Sequence, residues 1–303
     1  MTTTTAASRA PDQRGLGLAL VAGSAIIWSM GGMLARSIEL TDPWTIVFWR
    51  SFFAALFLLV YMLSRDGFGG MVSSFRRMGW PGLAVAGCFA TASMSFVMAL
   101  QYTTVANILL IQAGAPLIAA VMAWALFGER VRAETWLAIA GVVIGIAIMV
   151  SASLTGKVSP IGDGLSLLIT TCFATATVIT WRWAHVPMVP AVFLATLIAT
   201  AVSGSMTPEW PNLHDAGYLF LFGAFNLGLG LAFFVAGVKR VAAAMAALVG
   251  TLEPVLGPFW VWLVHGEVPG VRTLIGGAFV IASLLFYLLN VWRQPPRITP
   301  PVE

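Results

Sequence analysis

The sequence predicts an all-α integral membrane fold of ten transmembrane helices, arranged as two inverted five-helix repeats with both termini in the cytoplasm. Of its 303 residues, 59% are hydrophobic and 9% are charged, whereas a soluble domain carries about 25% charged residues. Apolar runs of about 20 residues, the length that crosses a bilayer as a helix, follow one another along the chain. The chain also matches itself when it is shifted by 138 residues.

The first apolar run follows a polar segment, 1–15, which we expect to be a disordered cytoplasmic end. This run is longer than the apolar part of a signal peptide and lacks a clear small-residue cleavage site, so we interpret it as the first span. The ten predicted spans are 16–36, 44–63, 80–100, 105–127, 135–150, 164–183, 189–205, 216–237, 241–264 and 271–291.

The basic residues indicate how these spans are oriented. With the N-terminus in the cytoplasm, most loop arginines and lysines fall on the cytoplasmic side, and the outer loops hold only Lys157 and Arg272. This bias follows the positive-inside rule and fits an even number of spans. The net charge of +4 therefore indicates how the protein is oriented in the membrane. We expect no nucleic-acid partner.

The internal repeat aligns 80–130 with 218–268 without a gap. The aligned residues that carry it are Pro116, Gly128 and Glu129 in the first copy, and Pro254, Gly266 and Glu267 in the second. It divides the membrane part into halves 16–157 and 158–292, followed by a cytoplasmic tail, 293–303. Because each half has an odd number of spans, the second enters the membrane from the opposite side. Inverted repeats of this kind build many secondary transporters, with the binding site near the midplane.

A helix-breaking proline followed by Gly-Glu at the next turn, present twice in a five-plus-five arrangement, resembles the EamA type of the drug/metabolite transporter superfamily. Within it, the chain is similar to bacterial amino-acid exporters, including those for aromatic amino acids. The resemblance covers 16–291 and implies multi-pass insertion in the bacterial inner membrane. It also implies a central cavity walled by spans 1, 3, 4, 6, 8 and 9, with spans 5 and 10 outside. Ala92 and Ala115 stand where the aromatic exporters have bulky aromatic side chains.

Polar residues inside spans usually face a cavity or another helix, and this selects the candidate site. Glu253 is the only acid deep in a span. It either balances a substrate ammonium, carries a proton, bonds a neighbouring helix as a protonated acid, or pairs with a basic side chain. Gln112 and the carbonyls freed by Pro116 and Pro254 either read the polar end of a substrate or only shape packing. Asn226 either binds substrate or ties span 8 to a neighbour.

Other candidates are aromatic, small or hydroxylated residues. Trp28 stacks on an apolar or cationic substrate or simply packs, and the Ser and Thr side chains could instead bond to their own helix. The predicted substrate-binding residues are Trp28, Ser29, Cys88, Ala92, Ser95, Gln112, Ala115, Pro116, Thr171, Thr175, Asn226, Gly250, Glu253 and Pro254.

Several charged and small residues are assigned to structure. Arg50 is expected to snorkel to the outer surface or to pair with Glu39 or Asp42. The matched Glu129 and Glu267 are expected to bond the N–H groups that start the next helix. Gly141 and Gly145 form a small-residue face for close helix approach. His185, His214, His265 and the two cysteines, Cys88 and Cys172, show no metal-site spacing.

These patterns exclude several functions. The sequence has no phosphate-binding glycine loop with a lysine, which argues against ATP, and no recognisable nucleophile and base, which argues against an enzyme. We expect the protein to need no cofactor and to be a monomer. Its expected partners are the lipid bilayer and a small-molecule substrate. The leading hypothesis is a secondary transporter that exports small amphipathic metabolites, mainly amino acids, by alternating access, either proton-coupled or facilitated. An exporter of lipophilic cations or drugs is the alternative. A non-transporting scaffold ranks last, because the chain has no large polar loop or added domain.

Overall fold

Every secondary-structure element in the described part of the chain is helical. The computed structural model describes residues 11–128, 133–151, 159–183, 187–206, 209–238, 240, 249–250 and 252–292. The elements are α1 Pro11–Ser29, α2 Gly31–Arg36, α3 Pro43–Ala99, α4 Val105–Gln112, α5 Ala115–Phe127, α6 Ala133–Val150, α7 Pro160–Arg182, α8 Met188–Gly204, α9 Leu213–Phe220, a π-helical segment Leu221–Leu229, α10 Gly230–Val238, α11 Leu252–His265 and α12 Val271–Trp292.

Seven helical stretches among the described residues are long and apolar enough to cross a membrane. They are Gly15–Arg36, Pro43–Ala99, Val105–Leu126, Ala133–Val150, Pro160–Thr180, Leu213–Phe234 and Val271–Asn290. The stretch Val189–Gly204 is a shorter apolar helix. The described chain is therefore all-α, with the apolar helices of a multi-pass membrane protein. The predicted span 241–264 lies partly outside the described residues, as do Glu129, Lys157 and His185.

The longest element, α3, covers two predicted spans and the polar segment between them. It runs for 57 residues and contains two non-helical positions, Gly67 and Gly79. Their φ angles are +64° and +53°, values that residues with a side chain rarely adopt. The two glycines divide the run, so that spans 44–63 and 80–100 are joined by a helical connection.

The helices pack around α3. It contacts α7, α8 and the π-helical segment, whereas α6 packs mainly against α12. Helices α6 and α12 approach closely because the residues at their contact are small. A Cβ added at Gly145 would meet the Gly276 carbonyl at 2.6 Å, and one added at Gly141 would meet the Ser283 Cβ at 3.2 Å. The prediction that Gly141 and Gly145 allow close helix approach is confirmed.

One end of the bundle, called here the Arg36 end, gathers α2, α3, α4 and the loop after α11. The Arg36 guanidinium donates to Glu267 Oε2 at 3.0 Å, to the Leu100 carbonyl at 2.8 Å and to the Thr103 carbonyl at 3.0 Å. Glu267 Oε1 accepts the backbone N–H of Val105 at 2.9 Å. Four chain segments are therefore fixed to one another at this end.

The opposite end is marked by two tryptophans. The rings of Trp80 and Trp183 meet edge to face with centroids 4.8 Å apart. Because Gly162 at the start of α7 lies against Thr103 at the Arg36 end, α7 runs from one end of the bundle to the other.

The two copies of the sequence repeat share a backbone geometry at their matched glycines. Gly128 ends α5 and Gly266 follows α11, with φ of +65° and +66°. Each glycine donates its N–H to a tryptophan carbonyl four residues earlier, that of Trp124 at 2.9 Å and that of Trp262 at 3.0 Å. These left-handed caps lie 138 positions apart, at the spacing of the sequence repeat.

Candidate substrate site

Three of the apolar stretches are irregular within their length. Met30 separates α1 from α2, Ala113 and Gly114 separate α4 from α5, and the π-helical segment separates α9 from α10. Irregular backbone at membrane depth is tolerated where it is buried in protein or lines a cavity, and π-helical turns are frequent at functional sites. The three interruptions therefore mark the candidate site.

Asn226 links the π-helical segment to the break between α1 and α2. Its side-chain amide donates to the Ile27 carbonyl at 2.5 Å and to the Trp28 carbonyl at 3.3 Å, and the side chain is 4% exposed. A Cβ added at Gly31 would meet Asn226 Oδ1 at 3.0 Å. Of the two roles considered for Asn226, this geometry favours a tie between helices.

The break between α4 and α5 follows the prediction made from Pro116. Helix α4 ends at Gln112, and the N–H groups of Leu117 and Ile118 both donate to the Gly114 carbonyl, at 3.0 and 3.1 Å. Gln112, Ala115 and Pro116 are half-buried at this break. A helix interruption at Pro116 is confirmed.

Glu253 lies in the first turn of α11. The side chain is half-buried and makes no hydrogen bond or ion pair with any described residue. It lies one turn before Gly257, which is packed against Leu109 and the Ser29 carbonyl. The neighbouring Pro254 is buried, and a Cβ added at Gly250 would have no atom within 4 Å. The carboxylate therefore stands at the edge of the α1–α11 contact with its hydrogen-bonding capacity unused.

Two residues at the end of α1 differ in how well their polar groups are satisfied. Ser29 is fully buried, donates to the Ile26 carbonyl at 2.7 Å and accepts the Trp260 indole N–H at 3.0 Å, which ties α1 to α11. Trp28 places its ring 5.2 Å from that of Phe234, and its indole nitrogen is buried without a hydrogen-bond partner among the described residues. A buried donor without an acceptor is costly, and the Trp28 indole therefore stays among the candidate ligand-binding groups.

The remaining candidates lie on α3 and α7. Ala92 and Ser95 are 2% and 6% exposed, and Cys88 is half-buried beside Cys172. Thr171 and Thr175 bond to carbonyls of their own helix, both at 2.8 Å. For these two threonines the alternative of an internal helix bond is confirmed. Thr175 also lies 3.8 Å from the Met122 sulfur.

The prediction for Arg50 is wrong. It does not snorkel and does not pair with Glu39 or Asp42, because it is 6% exposed and donates through Nη1 to the Ser93 hydroxyl at 2.9 Å. Its guanidinium lies over the Phe222 ring, 4.2 Å from the centroid. One sign of this burial is present in the sequence: the positions three and four residues before and after Arg50 are all apolar, so its own helix offers it no acidic partner.

Glu267 also bonds a different helix from the one predicted. Its carboxylate caps α4 through the Val105 N–H, whereas the next helix in the chain is α12. Asn107, another polar residue of span 4, donates to Asp163 at 2.5 Å and to the Thr103 hydroxyl at 3.1 Å. Asn107 therefore joins α4 to α7 near the Arg36 end and does not lie at the interruptions.

Apolar helices with irregular segments inside them, beside polar groups that have no partner among the described residues, are typical of membrane transporters. The chain belongs to the EamA-like transporter family, whose sequence profile matches it twice, over residues 15–151 and 160–289. It is 27% identical over 289 residues to an uncharacterized transporter of Archaeoglobus fulgidus, covering 92% of this chain and 97% of that protein. It also shares its fold with a solved crystal structure at a TM-score of 0.63 and 20% identity, covering 91% of this chain and 98% of the other.

Proposed function

We propose that the protein is a secondary transporter that exports small amphipathic metabolites, mainly amino acids including aromatic ones, across the bacterial inner membrane. The proposal includes ten spans in two inverted halves, with both termini in the cytoplasm and the Arg36 end outside. The observation that supports it best is the set of interruptions at Met30, at Ala113–Gly114 and along Leu221–Leu229, which lie inside three apolar stretches.

The mechanism proposed is alternating access around this interrupted region. Helix breaks are the positions at which a helix bends with least loss of hydrogen bonding, and broken helices hold the substrates of many secondary transporters. The matched left-handed caps at Gly128 and Gly266 support two halves of like construction, which rock against each other. The break at Ala113–Gly114 gives the first half a hinge.

The groups beside the interruptions support an amphipathic substrate. Trp28 and Phe234 offer aromatic surface to an apolar side chain. Glu253, which has no partner among the described residues, offers a counter-charge to an ammonium group. Lipophilic cations are the second candidate class, and the same unpaired carboxylate is the observation that favours them. Amino acids and cations are distinguished by whether transport needs the carboxylate of the substrate.

Flux through liposomes tests the proposal. Purified protein is reconstituted, and counterflow of labelled phenylalanine and of tetraphenylphosphonium is measured with and without a pH gradient. We expect phenylalanine counterflow above that of empty liposomes, reduced at least tenfold in Glu253→Gln, because the ammonium loses its counter-charge. The matched control is Glu209→Gln, since the Glu209 side chain is exposed outside the helices.

Each outcome has a distinct meaning. Absence of phenylalanine flux would refute the amino-acid proposal, and flux of tetraphenylphosphonium alone would support the cation class. Flux of phenylalanine that ignores the pH gradient would indicate facilitated transport, and flux that follows it in the wild type but not in Glu253→Gln would indicate proton coupling.

A further inference from the structure

Arg50 is a buried cation that no carboxylate among the described residues neutralises. It lies seven residues into α3 from Pro43, about 10 Å along the helix axis from its start. The nearest acid on the same helix end, Asp42, accepts hydrogen bonds from Thr45, and Asp215 accepts the Glu39 N–H at 2.8 Å. An uncompensated charge inside a membrane protein is costly, and such residues usually serve a substrate pathway.

The guanidinium has a free edge. Nη1 donates to the Ser93 hydroxyl and, at 3.4 Å, to the Ser93 carbonyl. Nε is buried without a hydrogen-bond partner, and Nη2 likewise makes no hydrogen bond with the described residues. Two adjacent N–H groups in this fixed geometry match the two oxygens of a carboxylate. An amide or hydroxyl partner would satisfy only one of them.

The surroundings of this edge are aromatic. The Phe222 ring lies under the guanidinium, and the Phe96 ring lies 5.9 Å from Cζ. A Cβ added at Gly223 would meet the Ala54 nitrogen at 3.1 Å, so the π-helical segment lies directly against α3 here. Arg50 therefore adjoins one end of this segment. Trp28, whose indole nitrogen is also buried without a hydrogen-bond partner among the described residues, packs over Gly230 just beyond the other end.

We propose that Arg50, held by Ser93, is a carboxylate-binding residue that recognises the acidic end of an aromatic or apolar carboxylate substrate through its free Nε and Nη2 groups. This inference rests on the proposed transport function and narrows its substrate class: the carboxylate of the ligand is required, and lipophilic cations are excluded. Phe222 and Phe96 pack against the apolar part of the ligand next to the carboxylate. Because Arg50 is almost fully buried, ligand reaches it in a more open conformation than this one.

The test separates the carboxylate from the ammonium. Binding of 3-phenylpropionate, which has only the carboxylate, and of 2-phenylethylamine, which has only the ammonium, is measured by the thermal stabilisation of the purified full chain in nanodiscs. We expect the wild type to bind the acid with higher affinity than the amine. In Arg50→Gln the affinity for the acid falls about tenfold to a hundredfold, as expected for loss of a hydrogen-bonded charge.

Two further variants control for effects on folding. Arg50→Lys keeps the charge but loses the paired N–H geometry, and we expect an intermediate loss of affinity for the acid. Arg65→Gln removes a cation from an exposed part of the same helix, where Arg65 pairs with Asp66 at 3.4 Å, and we expect wild-type affinity. If Arg50 only joined α3 to the π-helical segment, the thermal midpoint without ligand would fall while the affinity of the folded variant stayed unchanged.

Absence of 3-phenylpropionate binding to the wild type, or wild-type affinity in Arg50→Gln, would overturn the inference. Phenylalanine counterflow, measured in parallel, reports separately on the proposed function. Arg50-dependent binding of the acid without amino-acid flux would retain the carboxylate site and refute amino-acid export. Amino-acid flux together with acid binding that is unchanged in Arg50→Gln would retain amino-acid export and refute the carboxylate site at Arg50.

Discussion

Arg36 and Glu267, 231 positions apart in the chain, are joined by a bond of 3.0 Å between Nε and Oε2. The pair lies at the meeting point of both repeats, since Arg36 belongs to the first and Glu267 to the second. The other oxygen of Glu267 caps α4 through Val105. A single carboxylate therefore connects the two halves and starts a helix of the candidate site.

Replacement of Glu267 by alanine is expected to destabilise the protein by about 1–3 kcal/mol, because the Val105 N–H loses its acceptor and Arg36 loses its counter-charge. Glu267→Gln keeps an acceptor for Val105 and is expected to be intermediate. Thermal unfolding in detergent measures both. Glu39→Gln is the control, since the Glu39 side chain is exposed near the same end. Equal midpoints for Glu267→Ala and Glu39→Gln would contradict the prediction.

Asn226→Ala is expected to cost about 1–3 kcal/mol, because the carbonyls of Ile27 and Trp28 lose a buried donor. The matched control is Asn290→Ala, since within the described part of the chain Asn290 bonds the Phe286 carbonyl of its own helix, at 2.8 Å, and no other helix. Thermal midpoints of the two variants are compared. If Asn226 bound substrate instead of tying helices, its removal would change substrate affinity and leave the ligand-free midpoint unchanged.

Gly145→Leu is expected to destabilise the α6–α12 contact by about 1–3 kcal/mol, because the added side chain would overlap the Gly276 carbonyl. Gly164→Ala tests the opposite case, since a Cβ added at Gly164 has no atom within 4 Å. That substitution is expected to be neutral or to stabilise α7 by up to about 1 kcal/mol. Thermal unfolding that ranks the two variants in the other order would refute this account of the contact.

Asp42 is expected to make stability depend on pH in the acid range. Burial raises the pKa of Asp42, but hydrogen bonds from the Thr45 hydroxyl and from the N–H groups of Thr45 and Trp44 outweigh it, so the pKa lies below the ordinary value. The contribution of Asp42 is therefore complete above the unfolded pKa of about 3.9 and is lost as the pH falls through the lower folded value.

Thermal midpoints measured between pH 7 and pH 3, values chosen to bracket the unfolded pKa of about 3.9, test this dependence. Asp42→Asn is expected to be less stable at neutral pH and to lose less stability on acidification than the wild type. If the thermal midpoints of the two proteins fell in parallel with pH, Asp42 would not contribute to the loss of stability in acid.

The sequence by itself determined the membrane class, the two repeats and the interruption at Pro116. Each of these depends on local composition, on periodicity or on the missing N–H of proline, and none requires knowledge of which helices touch. The small face at Gly141 and Gly145 was predictable for the same reason, because glycine spacing along one helix defines a face whatever its partner.

Only the tertiary structure decided which polar groups are paired. Glu267 could be recognised as a cap but not as the cap of α4, and Arg50 read as a surface arginine because its position near a span end allowed it to reach water. The partners of both residues come from helices distant in the chain, Val105 and Arg36 for Glu267, and Ser93 and Phe222 for Arg50. Pairing across helices depends on the relative rotation and depth of whole helices, which packing sets and hydropathy does not encode. For that reason the burial of Arg50 could be recognised only from the packed helices.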